Sequence, residues 1–166
     1  MSTTHPVIEP TKQEFLISHM TEHDLLDVVE IEERSRLSRW GWNAYYSELH
    51  GPNRKFMLVA RAHRDKEAST GPIVGYIVAR VMAGEVHINN VAVRENFRRK
   101  GLGCILLNQI IQAARENGAT VAFLEVRIGN VAAQALYEKC GFKSVARRPN
   151  YYSSPVEDAL VMSFLL

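Results

Sequence analysis

The stretch Asn90-Val91-Ala92-Val93-Arg94-Glu95-Asn96-Phe97-Arg98-Arg99-Lys100-Gly101-Leu102-Gly103 joins a strand-like apolar run to the start of a helix through a short basic loop. Backbone N–H groups at a helix start have no internal partners and point outward with the positive end of the helix dipole. Gly101 and Gly103 remove side chains that would hold a ligand away from that backbone, so a pyrophosphate fits there. Arg98, Arg99 and Lys100 add positive charge. The pattern Arg98-x-x-Gly101-x-Gly103 is not a Walker loop, since no Gly-Lys-Ser/Thr closes it, nor a Rossmann fingerprint, since the third glycine is missing. Taken alone, these residues also fit a solvated basic loop with glycine at a turn; the elements on either side favour the phosphate reading.

Downstream, Leu102, Ile105, Leu106, Ile110 and Ala113 form one apolar helical stripe that Asn117-Gly118 closes. Val121–Val126 then reads as a strand, Asn130–Lys139 as a helix capped by Asn130 and ended by Gly141, Phe142–Ala146 as a strand, and 159–165 as the last one. Upstream, Met57–Ala62, Ile73–Met82 and Val86–Val93 are rich in β-branched residues. A polar connection at Asp65–Pro72 and a tight turn at Ala83-Gly84-Glu85 join them, so the three strands read as antiparallel. Phe15-Leu16-Ile17 is a further short strand. Thr21-Glu22-His23-Asp24 is a helix start before Leu25, Leu26, Val28, Val29 and Ile31. A short helix over Asn43–Leu49 stops at Gly51-Pro52. The order β-α-α-β-β-β-α-β-α-β-β predicts an α/β fold, a mixed sheet with helices on its faces. It occupies one domain over 14–166 behind a loose lead-in at 1–13, where Pro6 and Pro10 oppose regular structure.

Composition narrows the function. The 166 residues carry 20 Lys+Arg against 18 Asp+Glu, a net charge of +2 that does not by itself imply nucleic acid. No apolar run approaches the ~20 residues that cross a bilayer, and the first residues lack a signal-peptide pattern. A cytoplasmic protein without membrane partners is the expectation. Cys104 and Cys140 do not make a disulfide framework, and no Cys/His spacing reads as a metal site.

With the phosphate loop between a strand and a helix, the chain resembles the GCN5-related N-acetyltransferase superfamily, whose acetyl-coenzyme A motif matches at Arg98–Gly103. The resemblance covers roughly residues 14–166. The segments Leu124-Glu125-Val126-Arg127-Ile128-Gly129-Asn130, Ala135-Leu136-Tyr137-Glu138-Lys139-Cys140-Gly141-Phe142 and Arg147-Arg148-Pro149-Asn150-Tyr151-Tyr152 look like its ribosomal-protein-alanine branch. The resemblance implies a largely antiparallel sheet with helices on both faces and a splayed pair of parallel strands holding acetyl-coenzyme A. It implies that Val91, Ala92 and Val93 bind the pantetheine arm through their backbone, with the Val93 N–H as oxyanion donor. Arg98, Arg99, Lys100, Gly101, Leu102, Gly103, Cys104 and Asn130 complete the implied cofactor contacts.

The chemistry also needs a base for the incoming ammonium and an acid for the departing thiolate. Glu125 shares a strand face with Val121 and Phe123. A carboxylate there is either ion-paired, with Arg127 on the same face as the candidate, or held in a cleft that raises its pKa; the family match makes it the general base. Tyr137 is by itself an amphipathic-helix tyrosine at the core edge; the match makes it the general acid. Trp40, Tyr151 and Tyr152 are the implied acceptor contacts, with Tyr151 and Tyr152 on a loop between the last two strands and Trp40-Gly41-Trp42 on the opposite wall. A thiol at Cys104 in the first helical turn also allows an acetyl-cysteine route, although no base is evident beside it.

The acceptor follows from acidity. At neutral pH roughly a tenth of α-amines are neutral, against fewer than about one in a thousand lysines. A single modest base therefore suits a protein N-terminus, with a small-subunit ribosomal protein as the implied partner. Lysine side chains or small amines, a non-catalytic coenzyme A sensor, and a nucleic-acid module built on Arg94, Arg98, Arg99, Lys100, Arg147 and Arg148 are the alternatives. Arg39-Trp40-Gly41-Trp42 stands where the family usually has Pro-Trp.

Overall fold

The computed structural model describes residues 14–35, 37–63 and 71–166. The lead-in read over 1–13 and most of the Asp65–Pro72 connection lie outside the described residues. The elements are β1 (Glu14–His19), α1 (Leu25–Arg34), α2 (Gly41–Leu49), β2 (Met57–His63), β3 (Ile73–Met82), β4 (Glu85–Val93), α3 (Leu102–Glu116), β5 (Val121–Arg127), α4 (Val131–Lys139), β6 (Lys143–Ser153) and β7 (Val156–Leu165). Their order is the one that hydrophobic periodicity predicts.

Seven strands form one sheet in the order β1-β2-β3-β4-β5-β7-β6, antiparallel throughout except for the parallel pair β4 and β5. Alternate residues of the inner strands feed two cores. Leu58, Ala60, Val74 and Ile77 pack beneath Leu102, Leu106, Leu107 and Ile110 of α3. Met57, Val59, Tyr76 and Val78 pack against Leu25, Val28 and Ile31 of α1 and Tyr45 of α2. Burial on both faces explains why β2 and β3 read as near-continuous apolar runs.

Two local features prepare the site. Burying a side chain of leucine or isoleucine size stabilises by roughly 1.5–3 kcal/mol, whereas a missing N-cap costs about 1 kcal/mol. The apolar stripe of α3 therefore holds the helix with its N-terminus left uncapped by any side chain. The second feature is a splay. β4 pairs with β5 only from Glu85 to Ile88, opposite Val121 to Leu124, while β5 stays paired with β7 through Arg127. A register shift in the β3–β4 ladder between Val78 and Ala79 leaves Asn89 as the extra, bulged residue, just where β4 parts from β5.

The structure corrects several expectations. α2 begins at Gly41 rather than Asn43, because the Glu32 side chain accepts the Trp40 and Gly41 N–H groups at the helix start. β6 runs to Ser153, well beyond Ala146, so Tyr151 and Tyr152 lie on a strand and not in a loop. Its polar Arg147-Arg148-Pro149-Asn150 run reads as a connection; in the fold Arg147 and Arg148 pair with Leu160 and Ala159 of β7, the ladder shifts register between Arg148 and Tyr152, and the Asp158 carboxylate accepts the Asn150 N–H at 2.9 Å. Cys104 and Cys140 are joined in a disulfide that links the first turn of α3 to the end of α4. Their separation of 36 residues conceals the pairing, since spacing does not say which turns of two helices meet. Among the described residues no cysteine is free, so the acetyl-cysteine route has no thiol.

Candidate active site

The end of β4 and the start of α3 enclose the segment expected to hold a diphosphate. The Arg94 guanidinium is taken up by the Ile73 carbonyl at 2.8 Å and by Asp27 and Glu30 of α1, each at 3.2 Å. Arg98 folds back, its Nε donating to the Val93 carbonyl at 2.9 Å. Arg99 and Gly101 both adopt left-handed conformations, with φ of 61° and 80°. Alternation of hand along a turn gathers successive N–H groups into a concavity that suits an anion. The first N–H groups of α3, from Leu102, Gly103 and Cys104, have no partner within the helix. At Gly103 a Cβ would come within 2.8 Å of Leu136 Cδ2, so glycine there lets α3 and α4 approach closely.

Beyond Ile88 the outer edge of β4 has no strand partner among the described residues. The Arg94 N–H is donated to Val74 on β3 at 2.7 Å. Alternation along an antiparallel ladder then turns Ala92 toward β3 and leaves the N–H and C=O groups of Val91 and Val93 facing the gap. This narrows the expectation for Val91-Ala92-Val93 to two of the three residues. Amide groups in such an edge can pair with an amide-bearing ligand as a strand would.

The gap opens into a cleft of about 180 Å³ that Glu125, Tyr137 and Asn130 share with Trp40, Tyr151 and Tyr152. A larger surface depression of about 520 Å³, between His19–Glu22 and Leu49–Lys55, shares no residue with it and holds none of this chemistry. The Glu125 side chain is 13% exposed; its oxygens lie 3.9 Å from His87 Nδ1 and 3.8 Å from Arg148 Nε. Both distances lie within ion-pair range but exceed a direct hydrogen bond. Arg127, the partner that strand alternation suggests, is engaged elsewhere. It pairs with Glu157 at 3.9 Å, donates to the Ser154 and Pro155 carbonyls, and lies 4.2 Å over the Tyr152 ring.

Tyr137 is 7% exposed, and its phenol has no hydrogen-bond partner among the described residues. Burial, reinforced by Tyr152, holds its pKa well above the ordinary tyrosine value. The Tyr152 phenol is pushed up to about 12, chiefly by burial and then by Tyr151, against the opposing pull of Arg127. Asn130 caps α4, its Oδ1 accepting the Ala133 N–H at 3.2 Å, as expected.

Trp40 lines the cleft, whereas Trp42 stacks on Tyr46 at 4.8 Å and is not among the lining residues. What sets the position of Trp40 is a residue that sequence reasoning missed. Glu32 is 1% exposed and accepts four hydrogen bonds: from the N–H groups of Trp40 (2.7 Å) and Gly41 (3.0 Å), from the Tyr45 hydroxyl (2.7 Å), and from Asn90 Nδ2 (3.3 Å). Tyr45 also accepts from Asn90 at 2.7 Å and lies 2.8 Å from the Tyr76 hydroxyl. With the single proton of Tyr45 given to Glu32, Tyr76 is the donor in that last contact. The network ties the segment between α1 and α2 to β4 beside the splay. Its signal was present: Glu32 falls four residues after Val28 and seven after Leu25, on the buried stripe of α1. His87 and the bulged Asn89, whose Oδ1 is buried without a hydrogen-bond partner among the described residues, also line the cleft and were not singled out.

The profile of the acetyltransferase (GNAT) family matches residues 20–142. The [ribosomal protein bS18]-alanine N-acetyltransferase of Escherichia coli is 31% identical over 149 residues, covering 89% of this chain and 95% of that protein. The crystal structure of the ribosomal-protein-S18-alanine N-acetyltransferase from Escherichia coli superposes with a TM-score of 0.74 over 92% of this chain and 94% of the other, at 30% identity. Ard1 from Thermoplasma volcanium superposes with a TM-score of 0.80 at 27% identity, over 92% of this chain and 97% of that one.

Proposed function

The chain belongs to the acetyltransferase (GNAT) family and is an acetyl-coenzyme A-dependent N-acetyltransferase; from that premise we propose that its acceptor is the α-amine of a protein N-terminus. The alanine N-terminus of ribosomal protein bS18 is the first acceptor to test, because the relative from Escherichia coli is named for it. A ribosomal acceptor puts the reaction in the cytoplasm, and among the described residues no helix is long and apolar enough to cross a membrane.

The observation that carries this reading is convergence. Glu125 of β5 and Tyr137 of α4 meet in the cleft where β4 and β5 part, and Leu136, next to Tyr137, packs at Gly103 in the uncapped first turn of α3. In the reading, the N–H groups at Leu102, Gly103 and Cys104 hold the diphosphate, with charge from Arg98, Arg99 and Lys100. The edge at Val91 and Val93 aligns the pantetheine arm, and the Val93 N–H stabilises the tetrahedral oxyanion. The N-terminus enters between Trp40 and the Tyr151–Tyr152 pair. Glu125 removes the ammonium proton through a water. The amine nitrogen bonds to the acyl carbon, the carbon–sulfur bond breaks as Tyr137 gives its proton to the sulfur, and the nitrogen gives up its second proton, which restores the phenol. A buried phenol is a weak acid, yet the same apolar surroundings that disfavour a tyrosinate disfavour a thiolate, so the two proton affinities rise together.

The test is a set of peptides incubated with acetyl-coenzyme A: a free N-terminal alanine, the same peptide with its α-amine blocked, and a blocked peptide carrying lysine. Acetyl on the free α-amine alone is expected. Acetyl on lysine of the blocked peptide, or none on any peptide, refutes the proposed acceptor.

A further inference from the structure

One proton must leave the site in every turnover. The ammonium nitrogen loses two protons on becoming an amide; one balances the proton that Tyr137 gives to the sulfur, and the other passes to solvent. Glu125 is the first acceptor in the reading above, but its side chain is only 13% exposed and needs an outlet.

His87 stands at that outlet. On β4 it is in register with Phe123 of β5, one step before Glu125 on the same face of the strand. Its Nδ1 lies 3.9 Å from Glu125 Oε2, within ion-pair range, and its side chain is 42% exposed. The imidazole thus reaches from the carboxylate to the surface, with its ring against Phe123 at 6.2 Å between centroids.

The other groups around it do not serve. Arg80, opposite His87 on β3, is bound to Glu48 of α2 at 3.0 and 2.7 Å and lies over the Trp40 ring. Arg148 of β6, beside the second Glu125 oxygen, has no lone pair to accept a proton. Arg127 of β5 is paired with Glu157 of β7, and burial holds the phenols of Tyr137 and Tyr152 well above their ordinary value. Glu85, two residues earlier on β4, is in register with Val121, one same-face step farther from Glu125 than Phe123 is. Imidazole is the one side chain here whose ordinary chemistry both takes and releases a proton near pH 7.

We propose that His87 is a proton-relay residue that takes the amine's proton from Glu125 and passes it to solvent. The proposal rests on the reading of Glu125 as base. Neutral His87 gains the proton at Nδ1 while the Glu125 carboxylate is restored, and the imidazolium then loses a proton to water or buffer.

The experiment measures kcat for the wild-type protein, His87→Ala, His87→Gln and Glu125→Gln at low buffer concentration, with and without added imidazole. His87→Ala is expected to be at least about tenfold slower, with an unchanged KM for acetyl-coenzyme A and with turnover restored by imidazole. His87→Gln, which keeps size and polarity but takes no proton, is expected to be as slow. Wild-type turnover in His87→Ala at low buffer, or a deficit that glutamine repairs and imidazole does not, overturns the relay. If His87→Ala fails to fold, His87→Gln decides: slow turnover that rises with buffer concentration supports the relay, and wild-type turnover overturns it. In either case an inactive Glu125→Gln leaves the base assignment standing, whereas an active one removes the base itself and so separates the two failures.

Discussion

Glu125 and Tyr137 are distinguished less by burial than by the partners they lack. Among the described residues the carboxylate has His87 and Arg148 near it but no direct hydrogen bond, and the phenol has no hydrogen-bond partner. Groups in that condition are free to exchange protons with a substrate. Glu125→Gln and Tyr137→Phe should therefore each lower kcat by about 10²–10⁴-fold while calorimetry finds acetyl-coenzyme A binding nearly unchanged. Glu32 predicts the opposite kind of defect. Glu32→Ala strands the N–H groups of Trp40 and Gly41, each worth about 1–3 kcal/mol when buried without a partner. Denaturant unfolding should report a loss of at least about 2 kcal/mol, and the KM for the peptide should rise more than the KM for acetyl-coenzyme A. Glu125 was readable because a single acid interrupts an apolar strand. Glu32 was not, because Glu30-Ile31-Glu32-Glu33 reads as a solvated run unless the helical stripe is followed through it.

Among the elements, α3 and α4 carry the closest tolerance. Gly103 sits under Leu136, the neighbour of Tyr137, so an added methyl must push α4 away or turn Leu136 aside. Gly103→Ala should cost about 1–3 kcal/mol of stability by overpacking and weaken acetyl-coenzyme A binding severalfold in calorimetry. Gly101 differs: space is open around it, and its φ of 80° alone makes a side chain unfavourable. Local periodicity was enough to find α3 and the strands β4 and β5, because each alternates buried and exposed positions in its own period, whereas α4 was found from its Asn130 cap and Gly141. It was not enough for β6. That strand is exposed along nearly its whole length and polar, and its pairing with β7 is a long-range fact that no local pattern encodes. The disulfide between α3 and α4 was hidden for the same reason.

Taken whole, the molecule is a sheet covered on both faces whose one parallel pair comes apart at the strand ends, and the cleft exists because β5 follows β7 while β4 follows β3. The antiparallel run up to β4 was readable from turn residues; the parallel pairing and the splay came only from the family resemblance, because a four-residue ladder leaves no mark on sequence. The closed cores have a consequence at high pH. Burial raises the phenols of Tyr45, Tyr76 and Tyr137 above their ordinary value of about 10. Above that pH the unfolded chain has lost protons that the folded one still binds, so stability falls as pH rises; below it these groups contribute no pH dependence. Melting temperature should be insensitive to these tyrosines up to about pH 9 and drop beyond about pH 10, and tyrosinate absorbance from the three buried rings should appear only with unfolding. The most direct test of the whole account is a crystal structure with coenzyme A linked through an acetyl group to the N-terminus of an alanine peptide. The account predicts the diphosphate on the N–H groups at the start of α3, pantetheine along Val91 and Val93, and the peptide between Trp40 and Tyr151–Tyr152 with its first nitrogen one water from Glu125. A diphosphate bound elsewhere, or a peptide that leaves that cleft empty, contradicts it.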